Sequence, residues 1–261
     1  MDFIQALLLG LVQGITEFLP VSSSGHLVLL QQVMGLREVP LFFDTMLHMG
    51  TLVAVVVVLF WDIVGVFRHP VKNHLGMLII ATIPAAAVGY FFSDFFESVF
   101  ENGQYLGFCF LATALILVVS EQIAARMKPR KQIAIQNALS MGVMQAVAIF
   151  PGISRSGATI AGGLFTGVDR MQAARFSFLM SVPVIIGSAG SSGVSALQAG
   201  LGDVSWTQII AGTIAAGITG YFAVKFMLAI IQKTKLYGFA VYAAALGAFL
   251  LVDQNFLHII F

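Results

Sequence analysis

The chain has 261 residues, 59% of them hydrophobic and only 10% charged, with a formal net charge of +1. A soluble domain carries about 25% charged residues, so this composition and a mean hydropathy of +0.95 exclude an ordinary soluble domain and indicate an integral membrane protein. One cysteine, Cys109, excludes an intramolecular disulfide and offers no metal cluster. The first residues carry no basic region, and the apolar run that follows is interrupted by Gln13 and Glu17, which argues against a cleaved signal peptide.

A spanning helix needs about 20 mostly apolar residues. Residues 6–25, ALLLGLVQGITEFLPVSSSG, begin as an apolar helix but meet Glu17 and then a Pro-Ser-Gly break at 20–25. Residues 27–36, interrupted by Gln31 and Gln32, are too short to cross, so this opening reads as a helix that enters, breaks and returns. Spans are expected at 41–67, 75–93 and 105–125. Residues 138–157, ALSMGVMQAVAIFPGISRSG, then repeat the opening at a separation of 132: Gly10/Gly142, Gln13/Gln145, Phe18/Phe150, Ser22/Ser154, Ser24/Ser156 and Gly25/Gly157 all agree. Residues 158–168 are again too short to cross. Spans at 172–194, 206–231 and 236–253 complete the chain.

The expected fold is therefore an all-α polytopic membrane protein with six transmembrane helices and two re-entrant hairpins. It is a single membrane domain, residues 1–261, with repeat halves of about 1–131 and 132–261. Three spans separate the two breaks, an odd number, so the halves have inverted topology. Broken backbone at membrane depth survives only where it is buried in protein or lines a wet cavity. The basic residues support the same topology. Arg68, Lys72, Arg126, Lys128, Arg130, Lys131, Arg170, Arg175, Lys233 and Lys235 fall in loops on one side, against Arg37 alone on the other, which carries Asp94, Glu97, Glu101 and Asp203. The basic side is cytoplasmic by the positive-inside rule, placing both termini outside. Gly212, Ala216 and Gly220 read as a helix-packing stripe, Pro84 and Pro183 as kinks, Lys225 as snorkelling, and Phe91 to Phe100 as an outer interface.

The two repeats differ where chemistry would sit: Glu17 faces Ile149, Ser23 faces Arg155 and His26 faces Ala158. An ionisable group in membrane-embedded sequence costs roughly 2.5–3.5 kcal/mol on insertion scales, which marks Glu17, with Gln13 one turn earlier, as functional. Ser22, Ser23, Ser24 and Gly25 before His26 cluster hydroxyls and helix-start amides, donors that an anion needs. Gly152, Ser154, Ser156 and Thr159 supply the same around Arg155, whose planar fork suits phosphate oxygens. One break offers acid/base groups and the other a phosphate cradle, a constellation suited to phosphoryl transfer.

Gln13-Gly-Ile-Thr-Glu17-Phe-Leu-Pro20-Val-Ser-Ser-Ser-Gly-His26 together with Pro151-Gly-Ile-Ser-Arg155-Ser-Gly-Ala-Thr159 resembles the bacterial undecaprenyl-pyrophosphate phosphatases of the bacitracin-resistance type. The resemblance extends along the whole chain and includes the Phe43-Asp44 to Gly50-Thr51 segment. It implies hydrolysis of undecaprenyl pyrophosphate to the monophosphate and inorganic phosphate, recycling the lipid carrier of envelope glycans. It also implies a multi-pass protein of the bacterial plasma membrane whose active site opens outward. By this resemblance Glu17, His26 and Arg155 are catalytic and Ser23 and Ser154 contact phosphate, with the nucleophile left open among His26, Ser23 and water. Mg²⁺ or Ca²⁺ is the implied cofactor, with Glu17 a suitable hard ligand. Many relatives carry Glu where this chain has Gln13. The expected partners are the lipid substrate and membrane lipid, with a homodimer open and nucleic acid excluded.

Two rival readings share part of this pattern. Ser-Ser-Ser-Gly-His looks like an element of the acid-phosphatase-like lipid phosphatases, but Ala161 stands where that family's second histidine would follow Ser154-Arg155. A translocator of polyprenyl phosphate, alone or as a second activity, would share the inverted repeat. It would need an anion site but no His26–Glu17–Ser23 cluster.

Overall fold

The structure is a computed structural model that describes residues 1–36, 39–68, 75–92, 103–199 and 204–261, with the side chains of 191–199 outside the description. Arg37, Lys72, Asp94, Glu97, Glu101, Asp203 and the aromatic stretch beyond Phe92 therefore lie outside the described residues. Among the described residues the chain is helical: α1 (Phe3–Glu17), α2 (Ser23–Val33), α3 (Leu41–Val58), α4 (Phe60–Arg68), α5 (Leu75–Phe91), α6 (Leu106–Ala124), α7 (Ile135–Val147), α8 (Arg155–Phe165), α9 (Arg170–Ala199), α10 (Trp206–Ile230) and α11 (Tyr237–Val252).

Among the described residues five helical stretches are long and apolar enough to cross a membrane: Leu41–Val58, Leu106–Ala124, Arg170–Gly190, Trp206–Ile230 and Tyr237–Leu257. The sixth expected span is the shorter apolar helix α5, 17 residues with Pro84 inside it. The stretch expected at 41–67 is divided by a turn at Leu59 into α3 and α4. The turn carries Asp62, a charge in an otherwise apolar run, to within 3.1 Å of Arg175 on α9. The two short helices after the breaks, α2 and α8, have 11 residues each. That is about 16 Å of rise, half of a bilayer's hydrocarbon core.

The helices of the first half recur in the second. Phe3, Ser23, Leu75 and Leu106 open α1, α2, α5 and α6, and Ile135, Arg155, Trp206 and Tyr237, 131 or 132 positions later, open α7, α8, α10 and α11. Packing partners are exchanged in the same way. α1 packs on α10 while α7 packs on α5, and α6 packs on α11. The α1–α10 and α5–α7 crossings are each made at a repeated glycine. A methyl group at Gly10 would lie 2.2 Å from the Gly212 carbonyl oxygen, and one at Gly142 would lie 2.5 Å from the Ala81 carbonyl oxygen. Small residues let helix backbones approach this closely where lipid gives no hydrophobic drive to associate. Gly212, Ala216 and Gly220 on α10 are buried, as the packing stripe requires.

Polar ties gather at the helix ends. Glu121, at the end of α6, is buried and accepts from both Nη atoms of Arg170 and from the Leu236 amide, joining α6, α9 and the α10–α11 turn. Arg130 exchanges backbone hydrogen bonds with Gly167 and Asp169. The loops bearing most of the described basic residues thus converge at one end. Lys225 remains exposed, its ammonium against the Tyr221 ring. At the opposite helix ends Gln208 bonds to Met1 and Gln254 to Gly103, and the buried Asp253, 132 positions after Glu121, accepts from the amides of Ile259, Ile260 and Phe261. The core between these ends holds Phe18, Phe110, Leu117, Ile160 and Phe178, so both breaks sit deep in the protein.

The glycine crossing is testable by thermal melting in detergent. Gly10→Ala should destabilise by about 1–3 kcal/mol, the cost of overpacking against backbone. Gly238→Ala, where a methyl group meets nothing within 4 Å, should leave the transition unchanged. Equal melting of both variants would show that the α1–α10 crossing is looser than described.

Candidate functional site

α1 opens on an Asp2–Gln5 capping box and ends at Glu17, because Pro20 cannot continue a helix and disfavours helical backbone at Leu19. The chain reverses through Ser22, whose φ of 70° is in the left-handed region, a conformation costing on the order of 1 kcal/mol for a non-glycine residue. Two contacts hold it there. Its hydroxyl accepts the Gly25 amide as the N-cap of α2, and its carbonyl accepts from His26 Nδ1 at 2.6 Å.

The second break repeats this device. Ser154 caps α8 by accepting the Gly157 amide at 3.1 Å, and Gly152, at φ +93°, makes the reversal. Thr113 of α6 secures it, donating to the Gly152 carbonyl at 2.9 Å and accepting from the Ser154 amide at 3.0 Å. The two breaks meet face to face. Ser156 donates to the Leu19 carbonyl at 2.9 Å, and a methyl group at Gly25 would come within 3.0 Å of Gly152 Cα.

At this junction Arg155 Nη2 bonds Glu17 Oε1, while Glu17 Oε2 accepts from Ser23 Oγ and, at 2.9 Å, from Gln13 Nε2. Glu17 is thus buried but surrounded by donors, the condition under which a carboxylate survives burial. Arg155 spends one of its five N–H donors on Glu17 and stays partly exposed to a cavity of ≈ 380 Å³. Glu17, Ser22, Ser23, Ser24, Ser154 and Arg155 line that cavity, with Ile149, Ile153, Val184 and Ile185 forming apolar wall.

The other nominated residues lie behind it. Gln13 supports Glu17 from within the protein, its Oε1 buried with no hydrogen-bond partner. Gly25 and Gly152 make the close approach of the breaks. Ser156 is spent on Leu19, and Thr159 bonds the Arg155 carbonyl and Ser177. His26 is turned away, contrary to its expected meeting with Glu17. Its Nε2 lies 2.7 Å from the Tyr242 hydroxyl, and its ring stacks on Tyr242 and meets the edge of Phe110, residues 132 positions apart on α11 and α6. A different histidine, His48 of α3, lines the cavity with its Nε2 3.6 Å from Glu17 Oε2, and Asp44 lies one turn before it. An acid and an imidazole four apart on an apolar helix were a readable signal that the sequence analysis did not single out.

The donor set bears on the expected divalent cation. Both oxygens of Glu17 are engaged by donors, and both oxygens of Asp44 accept from Gln31 Nε2 at 3.1 and 3.2 Å. Among the described residues no three His, Cys, Asp or Glu gather as a metal cage. The described residues therefore do not fit a resident cation held by protein ligands alone.

Comparison with known proteins identifies the family. Residues 6–249 match the family described as bacitracin resistance protein BacA. An undecaprenyl-diphosphatase of Carboxydothermus hydrogenoformans is 46% identical over 257 residues, covering 97% of this chain and 98% of that protein. One from Halothermothrix orenii is 43% identical over 255 residues and undecaprenyl-diphosphatase 3 of Bacillus cereus 40% over 254, with the same coverage. With both broken-helix motifs inside the matched region, the chain belongs to the bacitracin resistance protein BacA family.

Proposed function

We propose that this protein hydrolyses undecaprenyl pyrophosphate to undecaprenyl phosphate and inorganic phosphate in the bacterial plasma membrane, recycling the lipid carrier and conferring bacitracin resistance. The observation that carries this reading is the cavity in which Arg155, the serine hydroxyls and Glu17 converge. Arg155 keeps N–H donors for phosphoryl oxygens, and the serines of both breaks add hydroxyls. Glu17 is the proton acceptor: Ser23 already donates to it, so the hydroxyl it activates is that of Ser23 or of water. His26, engaged by Ser22 and Tyr242, braces the strained turn of the first break.

The membrane arrangement that serves this chemistry has six spans, α5 included, with α1–α2 and α7–α8 as re-entrant hairpins of an inverted repeat. Both termini lie outside and the basic loops inside. The constant offset of the helix starts and the exchange of packing partners between halves support it. A lipid pyrophosphate in the outer leaflet then slides its headgroup in laterally while its chain stays in lipid. A divalent cation, Mg²⁺ or Ca²⁺, would be carried by the substrate's pyrophosphate oxygens and would neutralise their charge, since the described residues form no cage for it.

Purified protein should release inorganic phosphate from polyprenyl pyrophosphates, and EDTA should abolish the release; full activity in chelator would remove the cation from the reaction. Arg155→Lys should lose about two to three decades of turnover, because a point charge does not replace the guanidinium fork at a developing phosphoryl charge. Glu17→Gln should be inactive and Gln13→Ala milder, whereas near-normal turnover of Arg155→Lys would reduce Arg155 to a counter-ion. For orientation, single cysteines at the exposed positions Gln104 and Arg130 in a Cys109→Ala background should react from opposite sides of intact cells with an impermeant thiol reagent. Labelling at 130 but not at 104 from outside would invert the topology.

A further inference from the structure

Two imidazoles lie near the junction of the breaks, and the one that turns a nitrogen to the cavity is that of His48. Its Nδ1 sits 2.8 Å from the Asp44 backbone carbonyl oxygen. A carbonyl can only accept, so Nδ1 carries a proton, and in the neutral ring Nε2 keeps its lone pair. That lone pair faces Glu17 Oε2 at 3.6 Å, beyond hydrogen-bond range. The position is built in. Gln31 anchors the Asp44 carboxylate, and a methyl group at Gly50, two residues after His48, would lie 2.2 Å from the Thr213 carbonyl, so α3 is seated hard on α10.

The cavity therefore has two chemical walls. Arg155 and the serine hydroxyls supply donors suited to phosphoryl oxygens. Glu17 Oε2 and His48 Nε2 are two acceptors side by side, a place closed to a phosphate oxygen, which is itself an acceptor, but matched to a molecule with two protons to give. We propose that His48 and Glu17 together seat the hydrolytic water, which makes His48 a catalytic residue; this rests on the phosphatase reading above. One water proton is held by each acceptor, and the oxygen lone pairs point into the cavity toward the terminal phosphorus. The water oxygen bonds to that phosphorus as the bridging P–O bond breaks, the electron pair leaving on the lipid monophosphate. One proton passes to Glu17, and the other stays on the oxygen that departs in inorganic phosphate. Neutralising Glu17 frees Arg155 for the charge on the transferred phosphoryl group.

The test is steady-state phosphate release from a polyprenyl pyrophosphate in detergent, with kcat and KM measured at saturating Mg²⁺. His48→Ala should lower kcat by about 100-fold, the cost of a misplaced reactant, with KM within about twofold of wild type. His48→Leu, which keeps volume but offers no acceptor, should match it, so the result does not depend on how the alanine variant folds. His48→Gln should recover kcat to within about fivefold, its side-chain carbonyl accepting in place of Nε2. An unchanged kcat in both apolar variants would overturn the proposal. So would an effect confined to KM, which marks a phosphate contact, or a loss reversed by raising Mg²⁺, which marks a cation ligand. Wild-type protein that releases no phosphate would instead refute the phosphatase reading itself.

Discussion

Everything at the centre of this molecule turns on the ion pair between Glu17 and Arg155, which belong to different halves of the chain and meet only because two helices break. A buried carboxylate alone costs several kcal/mol of lost solvation, and it is retained only when donors surround it. Here they come from both sides of the junction: the Arg155 guanidinium across it, the Ser23 hydroxyl and the Gln13 amide beside it. Pulling the breaks apart would strip Glu17 of Arg155 and leave its charge in an apolar core with only the Ser23 and Gln13 donors. The pair is thus both the closure of the fold and the seat of the proposed chemistry.

The repeat explains how one device yields two kinds of wall. In each half a proline ends one helix, a residue in the left-handed region (Ser22 in one, Gly152 in the other) reverses the backbone, and a serine caps the short helix that follows. Divergence then sits on the side chains: an acid where the other half has Ile149, a guanidinium where the first has Ser23, an imidazole where the second has Ala158. Ile149 becomes apolar wall of the cavity that Glu17 serves. Gln13 and Gln145 mark the same position in each half. Gln13 supports Glu17, whereas Gln145, with Ile149 four residues on in place of an acid, is buried with neither amide atom paired among the described residues.

Much of this was legible because it follows from local rules. Pro20 and Pro151 announce the breaks, the 132-residue register announces the repeat, and Glu17 and Arg155 are conspicuous charges beside them. What escaped depends on distant partners. The direction of His26 is decided by Tyr242, 216 residues away, and by Ser22's need for a second acceptor contact. His48 was hidden in a span read for its hydropathy, and its importance appears only when α3 is packed beside α1. The turn at Leu59 is likewise accompanied by a distant partner, Arg175 on α9, which pairs with Asp62.

The central claim is that the substrate's pyrophosphate lies where the two breaks meet. An experimental structure with a non-hydrolysable methylene analogue of a polyprenyl pyrophosphate tests it directly. The account predicts phosphonate oxygens within hydrogen-bond distance of Arg155 and the serines of both breaks, with Glu17 and His48 facing the terminal phosphorus. A diphosphonate bound elsewhere, with the Glu17–Arg155 junction undisturbed, would contradict it.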